Sequence, residues 1–215
     1  METRVAGLSR LMPNVGGPSS CKRRLLALVA HSIIFYAAPV WAGVLRIKRY
    51  RDMLISAQRM SLIRVISAYR TISASAAQVI AGVPPIHLLV EERAKMYEEQ
   101  SPSPDREATI RAWQLEWTEN EDVAIWTRSL IKEVGPWMGC AHRNVDYYLT
   151  QILSAHGTFG SYLKRIGKKP DDQCTELDVE NLIPIMLGSK ENWKVIHTMI
   201  RNVMKQKEED DRSMR

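Results

Sequence analysis

Apolar positions recur along this chain at intervals of three and four. No run of strict apolar–polar alternation is bounded by turn residues. That pattern predicts helices rather than strands. Over residues 20–36, Leu25, Leu28, Val29, Ser32, Ile33 and Tyr36 fall at helical spacing. A second helix is predicted over 46–67, with Leu62, Val65 and Ile66 packing inward. Ser73 is placed to cap a short helix that stops at Gly82, and Pro85 suits the first turn of a helix continuing to Gln100. Further helices are predicted over 105–119, 121–132, 144–155, 158–166, 178–187 and 190–209, and a short one over 1–12. The expected class is all-α, an irregular multi-helix bundle.

Between Arg24 and Arg46 lie 21 residues without a formal charge. About 20 apolar residues suffice to cross a bilayer. Against a span, His31 and Ser32 sit near the middle, Pro39 interrupts the second half, and both flanks are basic. An orienting imbalance of Lys and Arg is therefore missing. A helix apolar nearly all round is either a span or deeply buried, and burial is the expectation here, with no membrane partner. The stretches "PNVGGPSS" (13–20), "SPSP" (101–104) and "GKKPDDQC" (167–174) interrupt the helical pattern. They suggest a helical region over 1–100, a connector over 101–173 and a helical tail over 174–215.

Charge adds a direction to this outline. Residues 1–70 carry 12 Lys/Arg and 2 Asp/Glu, a net of +10; residues 71–215 carry 18 and 22, a net of −4. A basic N-terminal third suggests a surface that meets polyanions. The three cysteines, Cys21, Cys140 and Cys174, are odd in number and far apart. That argues against a disulfide framework and for an intracellular setting, cytoplasmic or nuclear.

Catalytic and cofactor motifs are not legible. "GGPSSCK" has glycines but not the spacing of a phosphate-cradling loop. The adjacent aspartates, Asp171-Asp172 and Asp210-Asp211, fall in a loop and in a charge run, not in a setting that aims carboxylates at metal ions. Cys140, His142, His156 and Cys174 lack the spacing of zinc ligands. No metal, no cofactor and no catalytic residue is expected. Binding remains. Arg59, Arg64 and Arg70 in "QRMSLIRVISAYR", with Lys22, Arg23 and Arg24 upstream, are the candidate contacts to successive phosphates. The alternative is that these cations pair with carboxylates of the acidic remainder.

The blocks "LSRLMPNVGGPSSCKRRLLALVAHSIIFYAAPVW", "QRMSLIRVISAYRTISASAAQVIAGVPPIHLLVEER", "WQLEWTEN", "WTRSLIKEVGPWM", "VDYYLTQILSAHGTFGSYLKRIG" and "LDVENLIPIMLGSKENWKVIHTMIRNVMKQKEEDDR" follow one another along the chain. Together, and in this order, they resemble the part of non-LTR (LINE-type) retrotransposon reverse transcriptases that runs from just after the palm to the C-terminus. In that family the region after the palm forms the thumb, a helical subdomain that grips the template–primer duplex. The resemblance implies that the helices over 20–36 and 46–67 belong to a thumb-like region. Their cations would face an RNA–DNA duplex, reading backbone and shape.

Two departures accompany it. The blocks begin after the palm with its metal-binding aspartates, so the resemblance implies a fragment without polymerase chemistry of its own, hence not an enzyme. The family also carries a zinc knuckle of CxxC…H…C type before its last block. Here Cys174 stands where the first cysteine would, but Thr175, Glu176 and Leu177 follow directly. The join resembles an internal deletion, and one cysteine cannot hold zinc. Three alternatives stand beside this reading. The first is a helical structural or interaction module that self-associates through exposed apolar surface. The others are a decayed gene product without activity, and a small protein anchored in a membrane by residues 25–45.

Overall fold

A computed structural model of the chain describes residues 13, 17–120, 122–156 and 181–213. Among these, every regular element is helical, as the periodicity predicts. The helices are α1 (Ser20–Phe35), α2 (Ala38–Trp41), α3 (Lys48–Val65), α4 (Ala74–Ala81), α5 (Ile86–Glu98), α6 (Arg106–Glu119), α7 (Ile125–Leu130), α8 (Val134–Gly139), α9 (Tyr147–Ser154), α10 (Leu182–Gly188) and α11 (Lys190–Ser213). A 3-10 turn, Ala42–Arg46, joins α2 to α3. The helices predicted over 1–12 and 158–166 lie outside the described residues, as do Asp171-Asp172 and Cys174.

Local chemistry explains most boundaries. The Ser73 hydroxyl accepts from the Ala76 N–H at 3.2 Å, and Gly82 closes α4 at φ 60 in the left-handed region. Asp105 and Asp146 cap α6 and α9 by accepting from Ala108 N–H at 2.9 Å and Leu149 N–H at 3.0 Å. The predicted helix over 121–132 shrinks to α7, because Ala124 adopts φ 57 and breaks the backbone there. α8, "VGPWMG", is not predicted by propensity. Its glycines and Pro136 disfavour helix, and burial of Trp137 in the core overrides them.

The main core draws on nearly every helix. Trp113 and Trp117 of α6, Trp137 of α8 and Trp193 of α11 are buried in it, with Leu62 and Val65 of α3 and Leu149 and Leu153 of α9. Ile183 and Met186 of α10 and Ile200 and Met204 of α11 join the same cluster, so the C-terminal helices share this core with the N-terminal ones. A smaller cluster, Ile34, Ala38, Leu45, Ile86 and Val90, ties α1 and α2 to α5. Between the two sits Gln58, buried on α3. Its Nε2 donates to the Pro84 carbonyl at 2.8 Å, and its Oε1 accepts from Gln78 Nε2 at 2.8 Å and Ile86 N–H at 3.0 Å.

The uncharged run differs from expectation. The difference lies in burial and not in the helix's extent: α1 ends about where the spacing predicts, Ala37, at φ 51, turns the chain, and the segment through Arg46 bends away from α1 by 56°. The apolar stripe of α1 does not face inward. Leu25 is 62% exposed and Tyr36 82%, and Leu28, Val29 and Ile33 are exposed with them. The inward positions are Arg23, Ala27, His31 and Ile34. The physical reason lies in that register: Arg23 and small Ala27 let α1 approach α3 closely, and the buried guanidinium is satisfied by carbonyls. No single helix among the described residues is long and apolar enough to cross a membrane. Two bent pairs, α1 with Ala38–Arg46 and α4 with α5, pass that test only together.

Candidate nucleic-acid interface

The six candidate cations divide into two groups. Arg23 is buried, and its guanidinium is spent on the chain itself: Nε donates to the Pro18 carbonyl at 2.6 Å, Nη1 to Arg64 at 3.1 Å and Nη2 to Pro13 at 2.6 Å. Burial, and then the neighbouring Arg64, hold its pKa below the ordinary arginine value. Arg24, half-buried, donates to the Ala81 carbonyl at the end of α4, and burial lowers its pKa as well. Arg59 donates from Nε to the Ile72 carbonyl at 2.8 Å and from Nη2 to the Arg70 carbonyl. These three arginines close the ends of helices and the turn after α3, where carbonyls lack intrahelical partners.

Lys22 and Arg70 are exposed and Arg64 is half-buried. The structure adds cations that the sequence placed only as flanks of the uncharged run. Arg46, Lys48, Arg49 and Arg51 are all exposed, at and just before the start of α3. The first turn of α3 carries no acidic residue. Cations there oppose the positive end of the helix dipole, a cost that a bound anion relieves. Among the described residues, Lys48 alone of the four has a near carboxylate, Asp52 at 2.7 Å. The signal in the sequence was the density of charge, four cations in six residues (46–51).

The acidic remainder keeps to itself. Glu92 pairs with Arg106 at 3.1 Å, Glu99 with Lys95 at 3.7 Å and Glu107 with Arg111 at 3.7 Å, while Glu116 meets His87 at 2.7 Å. No described carboxylate pairs with any of the six candidate cations. The histidines set aside as zinc ligands on their spacing have other contacts. His142 lies edge-on to Trp193 with Nε2 3.3 Å from the Met186 carbonyl, while His156 stacks on Tyr69. Among the described residues, no group of three or more His, Cys, Asp or Glu could hold a metal ion.

Fold and surface together define an all-α chain with exposed cations at the start of α1 and at the start of α3. No family model matches the chain, and no solved structure matches it. In sequence it is similar to a 115 kDa protein in the type-1 retrotransposable element R1DM of Drosophila melanogaster. The two are 26% identical over 188 aligned residues, which cover 74% of this chain and 18% of the relative. The chain thus spans less than a fifth of that protein's length. The similarity supports an origin in a non-LTR retrotransposon.

Proposed function

We propose that this chain is the post-palm, thumb-like part of a non-LTR retrotransposon reverse transcriptase. In this reading it holds template–primer nucleic acid and contributes no catalytic residue. The observation that carries it is the set of exposed cations, Lys22, Arg46, Arg49, Arg51 and Arg70, without carboxylate partners among the described residues, on a chain similar to a retrotransposon protein. Such a surface binds phosphates and releases counterions, so its affinity depends on salt and hardly on sequence. A gel shift against a short RNA–DNA duplex at two salt concentrations tests it. A shift that weakens steeply with salt is expected; no shift at low salt, or one indifferent to salt, rejects the proposal.

A second reading rests on the outward stripe of α1. Leu25, Val29, Ile33 and Tyr36 on α1 are exposed, and Val40 of α2, beyond the turn at Ala37, is 87% exposed. Exposed apolar side chains grouped on one helix mark interaction sites. In this reading the chain is a helical module that covers the stripe by self-association or by binding another protein. Light scattering on the purified chain distinguishes them: a monomer at all concentrations counts against self-association.

A further inference from the structure

We propose that the groove between α1 and α5 takes one nucleotide unit, its phosphate at Arg24 and Arg93 and its base toward His31 and Phe35. The inference rests on the nucleic-acid reading above and gives it a specific seat. The groove encloses about 820 Å³, with Arg24, Leu28, His31 and Phe35 of α1 along one wall and Leu89 and Arg93 of α5 along the other. That volume is in the range of small-molecule sites.

One end is cationic. Arg24 lines it and donates to the Ala81 carbonyl, and Arg143, outside the lining, donates to the same carbonyl at 3.3 Å and also to Trp137. Neither has a described carboxylate partner, and Arg143 Nε is buried without a hydrogen bond. Burial, and then Arg24, push the Arg143 pKa down to about 10. Two guanidiniums on one carbonyl repel each other in partly desolvated surroundings, and an anion at Arg24 on the groove side offsets that repulsion. Arg93 adds an exposed charge at the rim. Glu92, the carboxylate in the lining, is neutralised by Arg106 and accepts from Thr109. The groove therefore complements a phosphate.

Further along α1 the wall changes character. His31 is 3% exposed and its Nε2 has no partner, a rare state for a buried polar atom and one that a ligand can relieve. Burial lowers its proton affinity, so the ring presents a neutral imidazole. The Phe35 ring lies 6.1 Å from it, tilted by 58°. Arg24 and His31 are seven residues apart, about 10 Å along the helix, comparable to the reach of one extended nucleotide. A base that enters must be unstacked, which favours single strands over duplex.

The test uses the full chain, a labelled single-stranded RNA and an RNA–DNA duplex. His31→Leu is expected to weaken single-strand binding about fivefold, the worth of one hydrogen bond between the base and Nε2, and to leave duplex binding and its salt dependence unchanged. Arg49→Glu with Arg51→Glu weakens both. Competition by adenosine monophosphate assigns the groove to free nucleotides as well; a strand effect without competition assigns it to strands, and either supports the proposal. Should His31→Leu fail to fold, wild-type chain is photo-crosslinked to a strand containing 4-thiouridine, with adducts expected at Phe35 or Tyr36. Unchanged strand affinity in folded His31→Leu, or adducts confined elsewhere, overturns the groove while duplex binding keeps the interface reading. Absence of all binding at low salt overturns both.

Discussion

The Arg143 guanidinium fills the space that a Cβ on Gly82 would occupy. Gly82 is also at φ 60, where an L side chain is strained. Gly82→Ala is therefore expected to destabilise the chain by at least about 1–2 kcal/mol from backbone strain alone, with displacement of Arg143 in addition. Urea denaturation reads this directly. Gly43→Ala, with nothing within 4 Å of the added atom, is the control and should be nearly neutral.

Gln58 joins three elements through one amide. In Gln58→Leu the Pro84 carbonyl, the Ile86 N–H and Gln78 Nε2 lose their partner in the interior. Each unsatisfied buried group costs about 1–3 kcal/mol. The expected loss of several kcal/mol should appear as a lower denaturant midpoint. A midpoint unchanged from wild type would mean that the amide network is dispensable.

Asp146 ties α11 to the start of α9. Burial alone would raise its pKa. His197 at 3.2 Å, the Leu149 N–H and Arg201 at 3.8 Å overcome that and hold it below the ordinary 3.8. A depressed carboxylate contributes stability above its unfolded pKa and loses it as pH falls through the folded one. Thermal unfolding of Asp146→Asn, which keeps a capping group, should show a shallower loss of stability between about pH 4 and pH 2.

His31 predicts a second acid dependence. Its folded pKa lies below the ordinary 6.5 because it is buried. The unfolded chain therefore binds the proton more readily, and stability declines as pH falls below about 6.5. His31→Phe should flatten the melting temperature between about pH 7 and pH 5. An identical slope in the variant would show that the imidazole does not resist protonation.

Leu25 and Val29 lie outward on α1, so Leu25→Ser with Val29→Ser should change stability by about 0.5 kcal/mol or less per site. If the stripe drives self-association, light scattering of the double variant will show a smaller particle at the same concentration.

Helical class, the Ser73 and Gly82 caps of α4 and the inward triad Leu62, Val65 and Ile66 were legible because each depends on residues a turn or two apart. The charge asymmetry was legible too. What each arginine does was not. Arg23, Arg24 and Arg59 read as surface cations, but they complete the carbonyls of helix ends and turns brought near by the chain's path. The exposed charge is carried by the candidates Lys22 and Arg70 together with Arg46, Arg49 and Arg51. Local sequence cannot show which carbonyls will lack partners, since that depends on elements far apart in the chain. Arg143 meets Ala81 across 62 residues.

The sequence by itself determined an all-α chain, its caps, and a basic N-terminal third, because helical periodicity and net charge are properties of neighbours. Only the tertiary structure decided which side of α1 is buried. Spacing predicted the helix, and its lack of charge predicted burial, yet Leu25, Val29, Ile33 and Tyr36 are exposed while Arg23 and His31 are buried. A helix turns toward whatever its neighbours can satisfy. Here the carbonyls of Pro18, Arg64 and Pro13 receive the guanidinium of Arg23.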